Sequence, residues 1–425
     1  MIFKIIKQSV KTSLLCSAFL SLSSYGVEQS FSGIVDARLF KVNNSSEFNS
    51  TDKSYLLGGY GKFDNKKISG FRLAQLGIQY RASWENNLSL HLIANAFSNK
   101  EENNIGLTEA FIRYKGLPSK SGWRIQSKAG FFYPNISMEN NATAWSNPYT
   151  LNNSTLNTWV GEELRHSGFQ ISLDKLGKFT NNKHDLSLDL TLFKNNDTAG
   201  AMLSWHGWTS ASRQSLFQEK LKLQNFPARK PGRDLASQAA FSDPFLELDN
   251  RWGAHIVGHW RYQNKVKINL GYYDNNTDLN IVKNGQYTWA TRFTHAGIKI
   301  KLAEKVELIS QYMRGRTAMQ GKNGRLVVNN NYNNAFIMLR KYWGLQHLAI
   351  RLEEFSVDDL DSTWGDHNQE YGKGLTLSYR YRMNKHSFVQ TEYNWLQSNR
   401  LARHYVNQDR DLIERQVQLA LRYYF

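Results

Sequence analysis

The last segment of the chain alternates between apolar and polar side chains. Counting back by two from Phe425 gives a mostly apolar series: Tyr423, Leu421, Leu419 and Val417. The positions between them are mostly polar: Tyr424, Arg422, Ala420, Gln418 and Gln416. Residues two apart share one face of a β-strand. A strand with one apolar and one hydrated face is typical of a membrane-spanning β-sheet, so the pattern predicts a transmembrane strand here.

The same period-two alternation recurs along the chain and predicts sixteen strands. In one of them four leucines alternate with polar residues: Leu186, Leu188, Leu190 and Leu192 with Ser187, Asp189 and Thr191. The predicted strands span residues 31–40, 71–84, 87–97, 107–115, 123–132, 167–174, 185–194, 252–262, 266–274, 288–302, 306–316, 334–343, 347–356, 374–383, 387–397 and 412–425. Single-chain bacterial barrels have an even number of strands. The predicted fold class is therefore all-β, a transmembrane antiparallel β-barrel of 16 strands.

The lengths of the predicted connections support this fold class. Odd-numbered connections should be long and external, and even-numbered ones short and periplasmic. The long ones include residues 41–70, 133–166, 195–251, 275–287, 317–333, 357–373 and 398–411. Short ones include residues 85–86, 263–265, 303–305, 344–346 and 384–386. This regular alternation favours a barrel over a soluble sandwich.

Residues 1–26 have the pattern of a secretory signal peptide. Three lysines precede a short apolar core over residues 14–20, which is too short to span a bilayer as a helix. No other segment approaches the roughly 18 apolar residues of a membrane helix. Residues 27–425 then form a single outer-membrane barrel domain. Because the only cysteine is Cys16, the mature chain has no disulfide and no thiol chemistry.

The chain is strongly basic, with a formal net charge of +17. Removal of the predicted signal, which carries three lysines and no acidic residue, lowers it to +14. A basic balance often indicates nucleic-acid binding. For an exported chain, lipopolysaccharide phosphates or anionic solutes are the better partners, and no nucleic-acid partner is expected.

The polar phase of the strands assigns a surplus of basic side chains to the barrel interior. The candidate pore-lining residues are Arg38, Arg81, Arg113, Arg124, Lys128, Arg261, Lys267, Lys299, Arg340, Arg351, Arg380 and Arg382. Acidic residues on the same phase are fewer. A water-filled lumen of this composition would concentrate anions and repel cations. Because paired charges line every water-filled barrel, a lumen without anion preference stays open as the alternative.

Two long connections could fold into the lumen. Residues 133–166 occupy the place of an inward-folded loop that narrows a pore. Glu162 and Glu163 in this connection are the candidate acidic residues of the constriction, expected to face Arg113, Arg124 and Lys128. Residues 195–251 form a long external loop that could cap the mouth or contact lipopolysaccharide. An ordinary surface loop is the alternative for each connection.

The chain resembles the outer-membrane porin superfamily over essentially all of its mature length. Three segments resemble those of little-characterised porin-like proteins, themselves distantly similar to phosphate-selective porins: residues 130–134, 159–163 and 245–249. The apolar series Leu419, Leu421, Tyr423 and Phe425 resembles the signal read by the barrel assembly machinery of Gram-negative bacteria. The resemblance implies an outer-membrane location, lipid and lipopolysaccharide contacts, a homotrimer, and a passive channel for small hydrophilic solutes. The basic lumen adds a modest anion preference.

Two other function classes remain open. A closed or plugged barrel could act as a receptor or adhesin through Asn-rich stretches at 43–54 and 329–334. A barrel enzyme is less favoured, because strand alternation places the adjacent His166 and Ser167 on opposite faces. No catalytic residue, cofactor or metal is therefore expected. Metal ligation by some of four lumen-phase histidines stays an alternative, to be tested by zinc calorimetry: His255, His259, His295 and His347.

Overall fold

The computed structural model describes residues 26–44, 55–58, 69–98, 104–321 and 323–425. The predicted signal peptide lies outside these residues except for Gly26, and most of the first long connection also lies outside them. Within the described ranges, no helix has the length and hydrophobicity of a membrane span. The chain is instead dominated by strands.

Sixteen antiparallel strands form a closed barrel. They are β1 Glu28–Asn44, β2 Ser69–Ser83, β3 Leu88–Ala96, β4 Ile105–Lys115, β5 Trp123–Phe132, β6 His166–Lys175, β7 His184–Lys194, β8 Gly253–Tyr262, β9 Val266–Asp274, β10 Ala290–Ala303, β11 Val306–Gln320, β12 Leu326–Trp343, β13 Gln346–Asp359, β14 Glu370–Arg382, β15 Ser387–Arg400 and β16 Asp411–Tyr424. The predicted fold class is confirmed.

The barrel closes between its first and last strands. Ile34 of β1 pairs with Tyr424 of β16, and the pairing continues along both strands. Beyond it, the Gly33 backbone N–H donates to the Phe425 carbonyl at 2.9 Å, and the Gly33 carbonyl accepts from the Phe425 N–H at 3.2 Å. Closure satisfies the backbone groups that an open sheet edge would expose to lipid.

The outer face of the wall is apolar. On β7, Leu186, Leu188, Leu190 and Leu192 are exposed, and on β16 Leu419, Leu421, Tyr423 and Phe425 are exposed. Tryptophans stand near strand ends, as in interfacial girdles: Trp84, Trp123, Trp252 and Trp343. An apolar belt between two aromatic girdles matches the hydrocarbon core of a bilayer, so the barrel spans a membrane. The end with the short turns faces the periplasm in this topology.

One predicted external loop is wrong. Residues 317–333 were expected to form a long connection, whereas β11 continues to Gln320 and β12 begins at Leu326. Asn329, Asn330 and Asn331 lie inside β12 and pair with β11. Above the bilayer the outward face no longer needs apolar residues, so the alternation that marks the strands disappears while the pairing continues.

Two connections lie inside the barrel. The first lumen segment, residues 133–165 between β5 and β6, contains the helix α1, Thr155–Glu163. The second lumen segment, residues 195–252 between β7 and β8, contains the short helix α2, Ala201–Trp205. Trp159 of α1 packs edge-on against the wall residues Phe293 and Tyr332, with ring centroids 5.6 and 5.5 Å away. The barrel therefore has an internal core in addition to its lipid-facing belt.

Candidate functional site

The first lumen segment is hydrogen-bonded to the inward-facing side chains of the wall. The Glu392 carboxylate of β15 accepts from the backbone N–H groups of Leu151 and, at 2.9 Å, Asn152. The Glu353 carboxylate of β13 accepts from the backbone and hydroxyl of Thr155 at 2.7 and 3.0 Å. Every residue from 149 to 165 is buried. Strand alternation places polar side chains on the inner face of the wall. These side chains pair with backbone groups of the segment that would otherwise have no hydrogen-bond partner.

Buried ion pairs reinforce this contact. Arg351 of β13 lies 3.2 Å from Glu139 and 3.3 Å from Glu353, and its side chain is completely buried. Arg38 is paired with Asp36 at 2.7 Å, and Asp36 is also 3.1 Å from Arg422. Arg38 and Arg351 therefore do not line an open pore as expected, because the first lumen segment covers that part of the wall.

The two lumen segments are joined through the end of α1. The Glu163 carboxylate accepts from Trp159 Nε1 at 2.6 Å and from the backbone N–H groups of Gly200 and Met202 at 3.0 and 2.8 Å. Burial raises the pKa of Glu163 to about 7, despite these three donors. Its neighbour Glu162 lies 3.5 Å from His206.

These contacts correct one expectation. Glu162 and Glu163 face the second lumen segment, whereas they were expected to oppose Arg113, Arg124 and Lys128 across a constriction. The helical turn of α1 directs both carboxylates toward residues 200–206. No transverse field between those acidic and basic groups forms among the described residues.

The second lumen segment fills the space above the first. All residues from 195 to 216 except Ser212 are buried. Residues 217–252 carry exposed side chains and bind neighbouring external loops, with the Ala239 N–H donating to the Gly285 carbonyl at 2.8 Å. Trp208 Nε1 donates to the Ser356 carbonyl of β13 at 3.1 Å. Over the described residues, the two segments occupy the lumen up to the external mouth, and the first one reaches down to Arg380, two residues from the periplasmic end of β14.

A polar cavity of about 710 Å³ remains at the periplasmic end, and we call it the vestibule. Its charged lining comes from β4 to β9 and one periplasmic turn: Arg113, Arg124, Lys128, Lys178, Arg261 and Lys267, with Asp174, Asp185 and Asp189. Six basic against three acidic side chains give the lining a formal charge of +3. Because the surrounding protein has a low dielectric constant, the positive electrostatic potential of this surplus charge is concentrated in the cavity.

The vestibule places its basic groups in different environments. Arg124 lies 2.7 Å from Asp174, whereas Arg261 and Asp185 are 3.9 Å apart and largely hydrated. The Lys128 ammonium stands 4.5 Å from the centre of the Phe132 ring. The basic groups of the vestibule therefore differ in how far protein partners already satisfy them.

The remaining predicted lumen residues lie elsewhere on the inner wall. Lys299 and Arg340 lie 3.4 and 2.9 Å from Glu307, and Arg380 donates to the Pro148 carbonyl at 2.7 Å. Arg81 and Arg382 are exposed near the periplasmic end of their strands. Of the twelve predicted basic residues, the structure brings five together in the vestibule: Arg113, Arg124, Lys128, Arg261 and Lys267.

Sequence reasoning missed several vestibule residues. Asp174 and Asp185 are on the inward phase of β6 and β7, so the alternation itself was sufficient to find them. Lys178 lies in the turn between these strands, where no periodicity applies. The four lumen-phase histidines also separate into distinct environments. His255 and His295 contact each other, His259 lies 3.0 Å from Asp189, and His347 lies 2.8 Å from Arg340.

No protein-family model matches this sequence, and no curated protein is significantly similar to it. Solved structures share the architecture. The outer membrane channel DcaP of Acinetobacter baumannii is 9% identical, with a TM-score of 0.54, over 95% of this chain and 99% of that one. The outer membrane protein OmpT of Vibrio cholerae, folded in vitro, is 9% identical, with a TM-score of 0.52, over the same shares.

The fold is that of these two outer-membrane β-barrels. The resemblance inferred from the sequence is thus confirmed at the level of the fold. The lipid-facing belt and this architecture place the protein in the outer membrane. At 9% identity the likeness carries no information on solute or selectivity.

Proposed function

We propose that the protein is a passive outer-membrane channel for small hydrophilic solutes, with a preference for anions. The observation that carries the proposal is the vestibule, where six basic side chains outnumber three acidic ones around about 710 Å³ of polar space. Flow follows the concentration gradient and requires no nucleotide or cofactor. The shared fold with DcaP, an outer membrane channel, supports the same function class.

The lumen segments limit this passage. Because residues 149–165 are buried against the wall, a solute that crosses the barrel has to displace part of the first or second lumen segment. Hydrogen bonds to polar wall groups hold these segments, together with a buried ion pair and the ring packing of Trp159. Water can replace the hydrogen bonds at small net cost, so the ion pair and the ring packing are the main resistance to displacement.

Uptake by liposomes that contain the purified protein tests this function. Small anions such as phosphate or acetate should enter faster than cations of equal size, and large sugars should be excluded. Empty liposomes and liposomes with a heat-denatured sample are the controls. Equal uptake of anions and cations would contradict the anion preference, and no uptake of any solute would end the channel proposal.

A second candidate function is a plugged barrel that acts through its external surface. Complete burial of residues 149–165, together with residues 195–211 above them, favours it. In that case liposomes with correctly folded protein take up nothing, while the external loops bind a partner. The homotrimer expected from the porin resemblance is also a proposal, which cross-linking in outer-membrane vesicles tests.

A further inference from the structure

Three arginines lie side by side on the outer face of the wall, and we call them the arginine patch (Arg292, Arg314 and Arg316). Arg292 of β10 and Arg316 of β11 are directly opposite each other in the strand register, and Arg314 is two residues from Arg316 on the same face. Arg292 and Arg314 are exposed and Arg316 is half-buried. The next residues along the two strands, Phe293 and Met313, are buried inside the barrel. Because the turn between β10 and β11 is short and periplasmic, the patch is at the external end of these strands.

The arginine patch lies where the apolar belt of the barrel ends. Leu302, at the periplasmic end of β10, is ten residues from Arg292 on the same face, and its side chain is 57% exposed. A strand tilted by about 45° rises roughly 2.4 Å per residue along the membrane normal, so Arg292 lies about 25 Å above Leu302, the height of a barrel's apolar band. The exposed ring of Tyr312 precedes Arg314 by two residues on the same face, as in an interfacial girdle. The patch is therefore at the level of the headgroups of the outer leaflet.

The protein itself compensates little of the positive charge of the patch. Like charges directly opposite each other in an antiparallel pair are destabilising. Among the described residues, none of the three arginines forms an ion pair. Asp274 is the β9 partner of Arg292 in the register, and its carboxylate accepts from the Tyr272 hydroxyl at 3.1 Å and the Asn276 N–H at 2.8 Å. Three cations beside one carboxylate leave a net positive surface, so an anion from outside the chain would relieve the repulsion.

Guanidinium groups in this arrangement suit a phosphate. Arginine binds phosphate oxygens through two parallel N–H donors and is always charged in proteins. The Cβ atoms of directly opposite residues are roughly 5 Å apart and those of diagonal residues roughly 7–8 Å apart, distances that long side chains reach across. Arg316 Nε donates to Asn329 Oδ1 at 2.9 Å, which orients its guanidinium group and leaves both terminal nitrogens for a ligand.

We propose that the arginine patch binds a phosphate group of lipopolysaccharide in the outer leaflet. This glycolipid carries phosphates at the head of its acyl chains, so the phosphate meets the patch while the chains lie along the apolar face below it. The outward residues of β10 below the patch include Ala296, Ile298 and Ile300, which suit acyl chains. The patch and the vestibule are on opposite faces and at opposite ends of the wall, so the inference does not rest on the proposed channel function.

A lysine elsewhere on the outer face serves as a matched comparison. Lys373 of β14 is exposed, and its register partner on β13 is the exposed Glu354. Its register partner on β15, Gln397, is uncharged. Because Lys373 is a single cation beside an acid, it is not expected to bind a phosphate.

Titration of the untagged, detergent-solubilised barrel with diphosphoryl lipid A, followed by native mass spectrometry, tests the proposal. We expect one tightly bound molecule per chain. Arg292→Gln combined with Arg316→Gln should weaken its binding roughly tenfold or more, since each hydrogen bond to a charged group contributes at least the free energy of that factor. Lys373→Gln should bind as the wild type does. Because the double substitution removes a repulsion, the variant should be as heat-stable as the wild type. Equal affinity of the folded double variant and the wild type would overturn the proposal.

Ligand comparison in the wild-type protein does not depend on the variants folding. Dephosphorylated lipid A should bind at least roughly tenfold more weakly than the diphosphoryl form. Phosphatidylglycerol and inorganic phosphate, each at the same concentration as diphosphoryl lipid A, should not displace it. Equal binding of the two forms of lipid A would overturn the proposal, and so would displacement by either competitor. Cross-linking tests whether a second copy of the chain covers the patch instead. Loss of cross-linked oligomers in the double variant, with lipid A binding unchanged, would assign the patch to that contact and also overturn the proposal.

Discussion

Arg351 Nη1 lies 3.2 Å from the Glu139 carboxylate, and neither side chain has any contact with solvent. The pair joins strand β13 of the wall to the first lumen segment. Arg351 also donates to the carbonyls of Asn152 and Asn153, at 3.1 and 3.0 Å. With its bond to the Thr150 hydroxyl at 3.0 Å, this one wall side chain holds four residues of the segment that fills the lumen.

Replacement of Arg351 by Met should destabilise the closed lumen. It leaves Glu139 and Glu353 buried without their cation, and loss of one partner of a buried pair costs about 3–5 kcal/mol. We expect a lower thermal midpoint in detergent and a larger single-channel conductance. Arg261→Met is the control, since the Arg261–Asp185 pair is wide and exposed and should change stability by less than about 1 kcal/mol. Equal stability of the two variants would show that Arg351 does not hold the segment.

Charge reversal in the vestibule should change ion selectivity. Arg124→Glu combined with Lys128→Glu changes the formal charge of the lining from +3 to −1. In a salt gradient across a planar bilayer, the reversal potential should move toward the cation side. Lys305→Glu, in the short turn between β10 and β11 and away from the vestibule, should leave it unchanged. A reversal potential that is the same in the double variant and the wild type would refute the role of the vestibule.

A methyl group at position 33 should impair barrel closure. A Cβ on Gly33 would lie 2.2 Å from the Phe425 ring and 2.8 Å from the Gly77 carbonyl oxygen. Overpacking of this kind costs about 1–3 kcal/mol. Gly33→Ala should therefore fold into liposomes in lower yield, and Phe425→Ala in the same chain should restore part of it.

The control for that prediction is Gly258→Ala, where the nearest atom to the added Cβ is 3.9 Å away. Folding is read from the heat-dependent shift in gel mobility. If Gly33→Ala and Gly258→Ala fold equally well, close packing where β1 meets β16 is not required for folding of the barrel. The role of Leu419, Leu421, Tyr423 and Phe425 as an assembly signal stays a separate prediction.

The external loop 360–369 should make stability depend on pH. Burial raises the pKa of Asp366 to about 7, and the nearby Asp361 adds to the shift. Because the folded protein binds this proton more tightly than the unfolded chain, its stabilising effect is complete below pH ~4 and is lost as pH rises toward 7. A shift of about three pH units corresponds to a change on the order of 4 kcal/mol.

Asp366→Asn imitates the protonated form and keeps an acceptor for Trp205 Nε1, which lies 3.4 Å away. The variant should lose most of the decrease in thermal midpoint between pH 4 and pH 7. If the thermal midpoint of the wild type rises between pH 4 and pH 7, the predicted direction of the pH dependence is wrong. The same decrease in both proteins would assign the effect to another group.

The wall could be predicted from the sequence, because a bilayer imposes apolar residues at every second position. That constraint located all sixteen strands, and its largest error is at residues 326–333, where β12 extends beyond the lipid. It also assigned His255 and His295 to the lumen. Their contact depends on strand register and on Gly271, which alternation does not encode.

The lumen segments could not be predicted in the same way. Residues 195–216 show no period, and their burial results from contacts with wall groups far apart in sequence, such as Ser356. The direction of Glu162 and Glu163 is set by the position of α1 against residues 200–206. A charge count along the strands therefore indicated a basic lumen but not which part of it is open.

Passage through the barrel can be tested by tying α1 to the wall. Asn334 Nδ2 of β12 donates to Thr155 Oγ1 at 2.8 Å, so Thr155→Cys with Asn334→Cys brings two thiols together in a chain whose only cysteine is Cys16. The matched control is Thr291→Cys with Thr317→Cys, which links two wall strands where the hydroxyls are 2.6 Å apart.

The deciding measurement is single-channel conductance in planar bilayers, recorded for each cysteine pair under oxidising conditions and again after dithiothreitol. If solutes pass only when the first lumen segment is displaced, the oxidised 155–334 pair is silent and reduction restores wild-type currents, while the 291–317 pair conducts in both states. Unchanged currents through the oxidised 155–334 barrel would contradict a lumen gated by this segment.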